Sequence, residues 1–439
     1  MTDHTPTSPA PCLHAVARRE PGALDRLTAA LHAAGGPLLT PLDGGGHAVT
    51  FVHLGPATHV EVSSQLTMDA DGRPAAMERI PGTDVWHLTV PVADDRLSVV
   101  YSYSVDDPYA AKSLAEVMEL VQAGAYGEIV AAHLRAARHD PFNPERIMSA
   151  HTSMTPGAER LHESVLTLPG ADPEVWFGRG GHTGGPRGTL TEHRVPSTVF
   201  GGDREVAVYL PEGYREGAAG HPLLLLLDGE YHLDHYPEIL DNLIAAGAVP
   251  PTVVAFVRNR DTMSRMTEMC CHPDLVRQYA EELLPWLRAE FGAGRDPATT
   301  VVAGASYGGL ASLWLAYRRP DLFGGVLSLS GSHWWGLKEQ FGGAEGPYAM
   351  GRDGEPEWLT RQIAAEPGAP ARTRFWIAAG TLETQPLPGG TSLLTANRHL
   401  RDVLTARGHE VAYDEFPGAH EQAGWRRTFA RGLRYLLGG

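Results

Sequence analysis

Cysteine is scarce in this chain: its 439 residues include three, Cys12, Cys270 and Cys271. Three thiols are too few for a disulfide framework, a zinc ribbon or an iron–sulfur cluster, so a reducing compartment is expected. The adjacent pair is unsuited to disulfide geometry. We therefore expect Cys270 and Cys271 to be buried as small hydrophobic side chains.

Long apolar runs and an excess of basic charge are also lacking. No stretch approaches the roughly 20 apolar residues of a membrane-spanning helix, and residues 1–6 have neither the basic nor the apolar part of a signal peptide. Lys and Arg number 36 against 52 Asp and Glu, a net charge of −16. Nucleic-acid and membrane-surface binders need a basic face. We predict a cytoplasmic protein with no nucleic-acid and no membrane partner.

The length suits two domains, and the hydrophobic patterning changes along the chain. Between residues 48 and 105 apolar residues alternate with period two between turn signals, which predicts a small β-sandwich. After residue 189, continuous apolar runs alternate with helical patterns, which predicts a mostly parallel sheet with helices on both faces. We place the domains at 1–155 and 156–439, with the Gly-rich stretch 178–188 near the junction.

The strongest local signal is the sequence G-A-S-Y-G-G at residues 304–309. Residues 299–303 have a strand pattern and residues 310–316 a helical one. A sharp strand–turn–helix elbow exposes a serine above the sheet in the α/β-hydrolase fold. The context therefore predicts that Ser306 is a nucleophile and not a bystander in a Gly-rich turn.

A serine nucleophile needs a base, and this fold places the acid and then the histidine after the serine. His420 lies in a turn between a strand pattern and the final helix, and we predict that it is the base. Glu383 follows the strand pattern at 374–379 and is predicted to orient His420. Asp414 and Glu415 are the competing acids, on the strand that leads to the histidine.

Two backbone N–H groups should form the oxyanion hole. One is that of Tyr307, and the other comes from Gly229 or Glu230 in the loop after residues 223–227. The Asp228 side chain is expected to form the turn. His232 and His235 could ligate a metal, but a polar helix start explains this spacing better. We predict no metal site.

Short motifs are spread over both predicted domains, from about residue 77 to the C-terminus. They are R-I-P-G-T-D-V-W at 79–86, D-P-F-N-P at 140–144, L-L-D-G at 226–229, Arg265 with Glu268, V-A-G-A-S-Y-G-G at 302–309, L-S-G-S-H-W-W at 329–335, G-T-L-E at 380–383, G-A-H at 418–420 and W-R at 425–426. Together these motifs resemble the enterochelin (ferric enterobactin) esterase family.

The resemblance implies an α/β-hydrolase domain preceded by a smaller, immunoglobulin-like β-sandwich that covers the catalytic cleft. It also implies hydrolysis of the ester bonds of a catecholate siderophore built on a serine trilactone, with release of iron in the cytoplasm. Iron would enter as part of the substrate, and no cofactor is expected. Two residues depart from the family pattern: Glu230 stands where relatives often have glutamine, and His272 where asparagine is expected.

An anionic tris-catecholate needs cationic and aromatic walls. Arg258 and Arg265 follow a predicted strand at the active edge, and arginine both pairs with oxygen anions and stacks on rings. With Glu268, Trp334 and Trp335 they are predicted to bind substrate. The alternatives are solvated arginines, an Arg265 paired with Glu268 and a tryptophan pair packed in the core.

Two other functions use the same residues. An acyltransferase or thioesterase of natural-product biosynthesis would have the same triad with another acceptor, since function depends on the pocket. A siderophore-binding or sensing protein would carry a vestigial site, which the intact set of Ser306, His420 and Glu383 argues against.

Overall fold

The computed structural model divides into two compact units. It describes residues 11–69, 72–110, 112, 114–149, 161–178, 185, 187–217, 220–336, 356–367, 372–387 and 390–438. The first unit takes in the described residues up to 172 together with Pro417–Ala423. The second takes in Pro173–Phe416 and the chain from Gly424 onward.

The first unit is built of two antiparallel sheets, as the period-two pattern predicts. Its strands are β1 (Leu38–Pro41), β2 (His47–Leu54), β3 (Val60–Ser63), β4 (Ala75–Ala76), β5 (Glu78–Arg79), β6 (Val85–Val92), β7 (Ser98–Val105), β8 (Ala137–Arg138), β9 (Arg146–Met148) and β10 (His162–Thr167). The sheets run β1-β2-β6-β5 and β4-β3-β7-β10-β9, with β8 beside β7. Phe51 of one sheet contacts Tyr101 of the other with ring centroids 5.1 Å apart, so the sheets pack as a sandwich.

In the described part of the chain, two helices precede the first strand of this sandwich, and two more lie between β7 and β8. They are α1 (Pro11–Ala17), α2 (Ala23–Ala34), α3 (Leu114–Leu120) and α4 (Tyr126–Ala136), with a π-helical turn at Val121–Ala125. Leu27 and Leu31 of α2 are buried in one cluster with Val52 and Val85 of the strands. The apolar face of α2 therefore covers one part of the sandwich core.

Strand β10 extends the first unit beyond the expected end of the N-terminal domain. The predicted boundary between residues 155 and 156 lies outside the described residues, as does most of the Gly-rich stretch 178–188. β10 hydrogen-bonds to both β7 and β9, so residues up to 172 belong to the first unit. The N-terminal domain thus continues past residue 155, because its sheet needs this strand. Its expected function as a lid stays a prediction.

A buried polar cluster fixes the chain near residue 140. The Asp140 carboxylate is 1% exposed and accepts hydrogen bonds from the hydroxyls of Tyr101 at 2.8 Å and Tyr103 at 3.3 Å. The Asn143 side chain donates to the carbonyl of Val165 at 2.8 Å. This cluster gives a structural reason for the D-P-F-N-P stretch: it ties strands β7 and β10 together.

The second unit has one eight-stranded sheet. Its strands are β11 (Thr189–Val195), β12 (Arg204–Leu210), β13 (Leu223–Leu227), β14 (Val253–Val257), β15 (Thr300–Ala305), β16 (Gly325–Leu329), β17 (Arg374–Gly380) and β18 (Glu410–Phe416). The order is β11-β12-β14-β13-β15-β16-β17-β18. β12 is antiparallel to both of its neighbours, and the strands from β14 to β18 are parallel.

Helices cover both faces of this sheet. They are α5 (Tyr236–Ala245), α6 (Thr262–Glu268), α7 (Pro273–Arg277), α8 (Leu284–Phe291), α9 (Tyr307–Arg318), α10 (Trp358–Ala365), α11 (Leu393–Ala406) and α12 (Gln422–Leu437), with 3-10 turns at Gly229–Tyr231 and Pro297–Thr299 and a π-helical turn at Gln278–Leu283.

The five leucines of β13 show why the sequence is uniformly apolar there. Leu223, Leu225 and Leu227 belong to one core cluster. Leu224 and Leu226 belong to another, on the opposite face. All five are fully buried, as expected for a parallel strand covered on both sides. The predicted α/β-hydrolase fold is confirmed, and among the described residues no helix is long and apolar enough to span a bilayer.

The buried polar cluster gives a stability prediction. Asp140→Ala removes the acceptor of two buried tyrosine hydroxyls, and each unsatisfied hydroxyl costs about 1–3 kcal/mol. We expect a clear fall in the urea midpoint of the first unit, followed by near-UV circular dichroism. The control is Asp84→Ala, because Asp84 is 55% exposed and pairs with Arg79 on the surface, where ion pairs contribute about 0–1 kcal/mol. Equal effects of the two variants would contradict the structural function of Asp140.

Candidate active site

Ser306 occupies the sharp turn between β15 and α9. Its backbone has φ 57° and ψ −121°, an unusual conformation for a residue with a side chain. Two hydrogen bonds hold this turn: the Ser306 N–H donates to the Leu329 carbonyl at 3.0 Å, and the Ser332 N–H donates to the Ser306 carbonyl at 2.9 Å. A strained residue held so firmly is typical of a functional site, and the geometry is that of a nucleophile elbow.

The glycines of the motif are required by close packing. A Cβ on Gly304 would lie 2.5 Å from the backbone of Gly308, and one on Gly309 would lie 2.7 Å from the Ser328 hydroxyl. A Cβ on Gly308 would lie 2.9 Å from a carboxylate oxygen of Asp228. The elbow therefore brings the first turn of α9 against the loop after β13.

The predicted triad residues follow the carboxyl ends of three parallel strands. Ser306 follows β15 directly, Glu383 comes three residues after β17, and His420 comes four residues after β18. Glu383 is 2% exposed. Its backbone is fixed on both sides, because its N–H donates to Gly380 at 3.1 Å and its carbonyl accepts from Leu394 at 3.0 Å.

His420 lies in the short segment Pro417–Ala423, which belongs to the first unit. The His420 N–H donates to the side-chain oxygen of Gln65 at 2.5 Å. The Ser98 N–H donates to the Pro417 carbonyl at 3.4 Å, and the Glu421 carboxylate accepts from the Val100 N–H. The sandwich strand β7 thus holds the backbone on either side of the histidine.

The competing acids are engaged elsewhere. Asp414 accepts hydrogen bonds from Thr428 and Arg431, both at 2.6 Å. Glu415 receives a bidentate pair from Arg398 at 2.7 and 2.6 Å. These partners lie on α12 and α11, so both carboxylates serve to fix helices against the sheet.

The loop after β13 is shaped by Asp228. Its φ of 57° turns the chain into the 3-10 turn Gly229–Tyr231. Gly229 is required there, because a Cβ would lie 2.5 Å from the backbone of Phe256. The left-handed backbone of Asp228 therefore agrees with its prediction as a turn residue. This conformation places the amides of Gly229 and Glu230 at the start of the 3-10 turn.

The Asp228 side chain does more than form a turn. It is 1% exposed and receives a bidentate pair from Arg265, with both nitrogen–oxygen distances at 2.7 Å. Asn259 donates to the same carboxylate at 2.6 Å. Burial lowers the pKa of Arg265, but the Asp228 carboxylate outweighs it and raises the pKa above its ordinary value. Arg265 is therefore permanently charged and neutralised by Asp228.

Glu230 is a second carboxylate beside this pair. Asn259 donates to it from its side chain at 2.7 Å and from its backbone N–H at 3.2 Å. Burial and the neighbouring Asp228 charge raise the pKa of Glu230 to about 7, against the lowering effect of hydrogen bonds from its own backbone N–H and from Asn259. The residue at this departure from the family pattern thus titrates near neutrality.

The remaining predicted substrate-binding residues are largely committed to protein contacts. Arg258 pairs with Glu192 at 2.7 Å. Glu268 is 3% exposed and pairs with Arg204 and Arg260, so it is not the partner of Arg265. Trp334 and Trp335 are 7% and 5% exposed.

The aromatic neighbours of Arg265 are two tyrosines. Its guanidinium carbon lies 5.6 Å from the ring centroid of Tyr231 and 5.4 Å from that of Tyr307. These distances are within cation–π range. Substrate contact by the predicted arginines and tryptophans stays a prediction. Sequence reasoning did not select Tyr231, and it selected Tyr307 for its backbone N–H and not for its ring.

The histidines considered as metal ligands are core residues. His232 is fully buried and stacks on Tyr236 with ring centroids 4.5 Å apart. Burial and the Arg426 charge lower the pKa of His235 to about 3. Among the described residues no cluster of three or more His, Cys, Asp or Glu side chains could hold a metal. Cys270 and Cys271 are buried free thiols.

Three side chains near the elbow were missed by sequence reasoning. They are Asn259, the carboxylate of Asp228 and Ser332, whose hydroxyl lies 3.3 Å from that of Ser306. Each follows a predicted parallel strand by one to three residues, and that edge position is the signal that could have selected them.

Two protein-family models match this chain, one in each of its two parts. Residues 197–436 match the model described as putative esterase, and residues 48–177 match that of the enterochelin esterase N-terminal domain. The chain belongs to the enterochelin esterase family. Both the expected family and the expected enzyme class, a carboxylic ester hydrolase, are confirmed.

Relatives in this family are similar along both units. The chain is 27% identical over 426 residues to the iron(III) enterobactin esterase of Dickeya dadantii (strain 3937), covering 92% of this chain and 91% of that protein. It is 28% identical over 420 residues to the iron(III) salmochelin esterase of Escherichia coli O6:H1, with the same two coverages of 92% and 91%.

Solved structures of the family agree with the fold. The ferric enterobactin esterase of Salmonella typhimurium superposes with a TM-score of 0.70 at 26% identity, covering 92% of this chain and 96% of that one. The enterobactin esterase of Shigella flexneri, crystallised in the presence of enterobactin, gives 0.69 at 26% identity with the same coverages.

The tight elbow gives a prediction for the esterase. Gly308→Ala forces a Cβ against the Asp228 carboxylate, which Arg265 holds in place. We expect a loss of about 1–3 kcal/mol in stability and a fall of about tenfold or more in kcat, because the neighbouring Tyr307 amide moves. Gly127→Ala is the control, since a Cβ there meets nothing within 4 Å and Ala favours a helix. Unchanged hydrolysis of a small ester by Gly308→Ala would contradict this geometry.

Proposed function

We propose that this enzyme is a serine esterase that hydrolyses the ester bonds of a ferric catecholate siderophore of the enterobactin type and thereby releases iron in the cytoplasm. The observation that carries the proposal is likeness along both units, over 92% of the chain, to proteins named for iron(III) enterobactin and iron(III) salmochelin. A Ser306 elbow at the carboxyl edge of the sheet supplies the matching chemistry.

The reaction proceeds through an acyl-enzyme. The Ser306 oxygen attacks the ester carbonyl carbon while His420 takes the hydroxyl proton. The tetrahedral oxyanion is held by the amides of Tyr307 and Gly229 or Glu230. The intermediate collapses, and the departing alkoxide receives the proton from His420. Water, activated by the same histidine, then releases the acid and restores Ser306.

Glu383 orients His420 and stabilises its protonated form. Two observations support this assignment. Glu383 follows β17 at the carboxyl edge and is buried, while Asp414 and Glu415 are held by partners on α12 and α11. An orienting carboxylate needs no proton exchange of its own, because its function is to fix the tautomer of the imidazole.

The substrate is held without a resident metal or cofactor, and iron enters with the siderophore. Tyr231, which is partly exposed and whose ring centroid lies 5.6 Å from the Arg265 guanidinium carbon, offers an aromatic ring to a catechol. The acyltransferase or thioesterase alternative is not favoured, since the relatives are named as esterases. Product analysis with an added alcohol or amine separates transfer from hydrolysis.

The nucleophile is tested by Ser306→Ala. We expect hydrolysis of ferric enterobactin to fall by about 10³-fold or more, because the acyl-enzyme cannot form. Liquid chromatography with mass detection of the linear products measures the rate. Ser332→Ala is the matched control, since its hydroxyl lies 3.3 Å from that of Ser306. A collapse in Ser332→Ala with retained activity in Ser306→Ala would assign the nucleophile to Ser332.

The acid is tested by comparing Glu383→Gln with Asp414→Asn. If Glu383 stabilises the imidazolium, Glu383→Gln lowers kcat by about 100-fold or more and leaves KM little changed, since the charge forms as the reaction proceeds. Asp414→Asn weakens a contact with α12 and should affect thermal stability more than kcat. The reverse pattern in steady-state kinetics would move the acid to Asp414.

A further inference from the structure

Glu230 places a carboxylate next to the backbone amide that the oxyanion requires. It begins the 3-10 turn with Gly229, and its carboxylate accepts hydrogen bonds from the Asn259 side chain at 2.7 Å and from the Asn259 backbone N–H at 3.2 Å. An ionised carboxylate on this turn acts on the oxyanion through its charge, which repels the negative charge that develops on the substrate oxygen.

We propose that Glu230 gates the esterase: the enzyme stabilises the oxyanion when Glu230 is protonated and loses this capacity when Glu230 ionises. The inference rests on the proposed function, since it takes the turn after β13 as part of the oxyanion hole. It adds a pH-controlled residue to that site, acting through its protonation state on every ester substrate.

The surroundings of Glu230 favour its neutral form. Asp228 already carries a negative charge and shares the Asn259 side-chain nitrogen with Glu230, at 2.6 and 2.7 Å. The positive charge of Arg265 is taken up by the bidentate pair with Asp228. Glu230 is thus a second carboxylate beside one that already pairs with Arg265, and its ionisation adds a further negative charge to a largely buried cluster.

The other groups that face Glu230 do not replace it as a neutral-pH switch. Burial and the Asp228 charge raise the pKa of Glu230 to about 7. Burial raises the pKa of Tyr279 above its ordinary value, so that phenol stays neutral. The charged and titratable groups that interact with Glu230 are Asp228, two residues before it, Arg265 on α6 and Tyr279 on the π-helical turn.

The direct test compares pH profiles of the parent and Glu230→Gln on a neutral small ester, p-nitrophenyl butyrate, between pH 5.5 and 9. Glutamine has the shape of the protonated acid but does not ionise. The ratio of variant to parent kcat should be constant at low pH and rise above neutrality, approaching tenfold per pH unit. Taking the ratio of the two kcat values removes every pH effect that the two proteins share. Glu290→Gln, an exposed position on α8, is the control and should follow the parent.

A second variant and a second readout protect the test against misfolding. Asn259→Ser removes side-chain N–H donors that favour ionised Glu230, so the fall of kcat at alkaline pH (the alkaline limb of the pH profile) should move to higher pH. The free energy of unfolding also depends on the protonation of Glu230, because the native state keeps the carboxyl proton at pH values where the unfolded chain has lost it. Parent stability should therefore fall relative to Glu230→Gln as the pH rises from about 4.5 to about 7, and the difference should then level off.

Parallel pH profiles of parent and Glu230→Gln, with active enzyme in both, would overturn the gate and leave the esterase assignment intact. Absence of hydrolysis in the parent on any ester would instead contradict the proposed function. If the alkaline fall of kcat moved to lower pH in Asn259→Ser, the gate would also be overturned, because another group would then determine that fall.

Discussion

The site depends on one buried ion pair, between Asp228 and Arg265. The pair joins the end of β13 to α6 through two 2.7 Å contacts. The same carboxylate lies under the first turn of α9, where only a glycine fits. Both predicted oxyanion donors, the turn at Gly229 and the amide of Tyr307, are thus built around one carboxylate. Removing either partner would leave an uncompensated buried charge, which costs about 3–5 kcal/mol.

This arrangement changes how an anionic ligand would be recognised. The chain carries a net charge of −16, and Arg258, Arg260 and Arg265 each have a carboxylate partner. Long-range attraction is therefore weak, and salt would screen it further. Under the proposed function, recognition would then depend on short-range contacts, such as ring stacking on Tyr231. Protonation of Glu230 removes one more negative charge from the same place.

Sequence reasoning predicted the parts of the candidate site that depend on local order. The elbow needs glycines at fixed offsets from Ser306, Glu383 follows a largely apolar strand pattern at 374–379, and His420 follows the strand pattern at 410–416. These features are local, so the spacing of apolar residues and the residue types in turns are enough to predict them. The carboxyl-edge rule then places the three residues after β15, β17 and β18 without knowledge of tertiary contacts.

What could not be predicted depends on pairing between distant segments. Arg265 and Glu268 are three residues apart on one helix, which made their pairing an alternative, yet Arg265 pairs with Asp228, 37 residues away. Strand β10 has a short apolar stretch that shows its identity only when β7 and β9 flank it. The tertiary structure determines which charged residues pair and which strands are neighbours, and local sequence does not contain that information.

The central claim, covalent catalysis by Ser306 on a cyclic siderophore ester, is tested most directly by intact-protein mass spectrometry. The enzyme is mixed with ferric enterobactin and quenched in acid within one turnover. Attack on a trilactone opens the ring without expelling a fragment, so the account predicts an adduct equal to one complete siderophore, mapped by peptide analysis to Ser306. Hydrolysis with no adduct at any quench time, or an adduct on another residue, would contradict it.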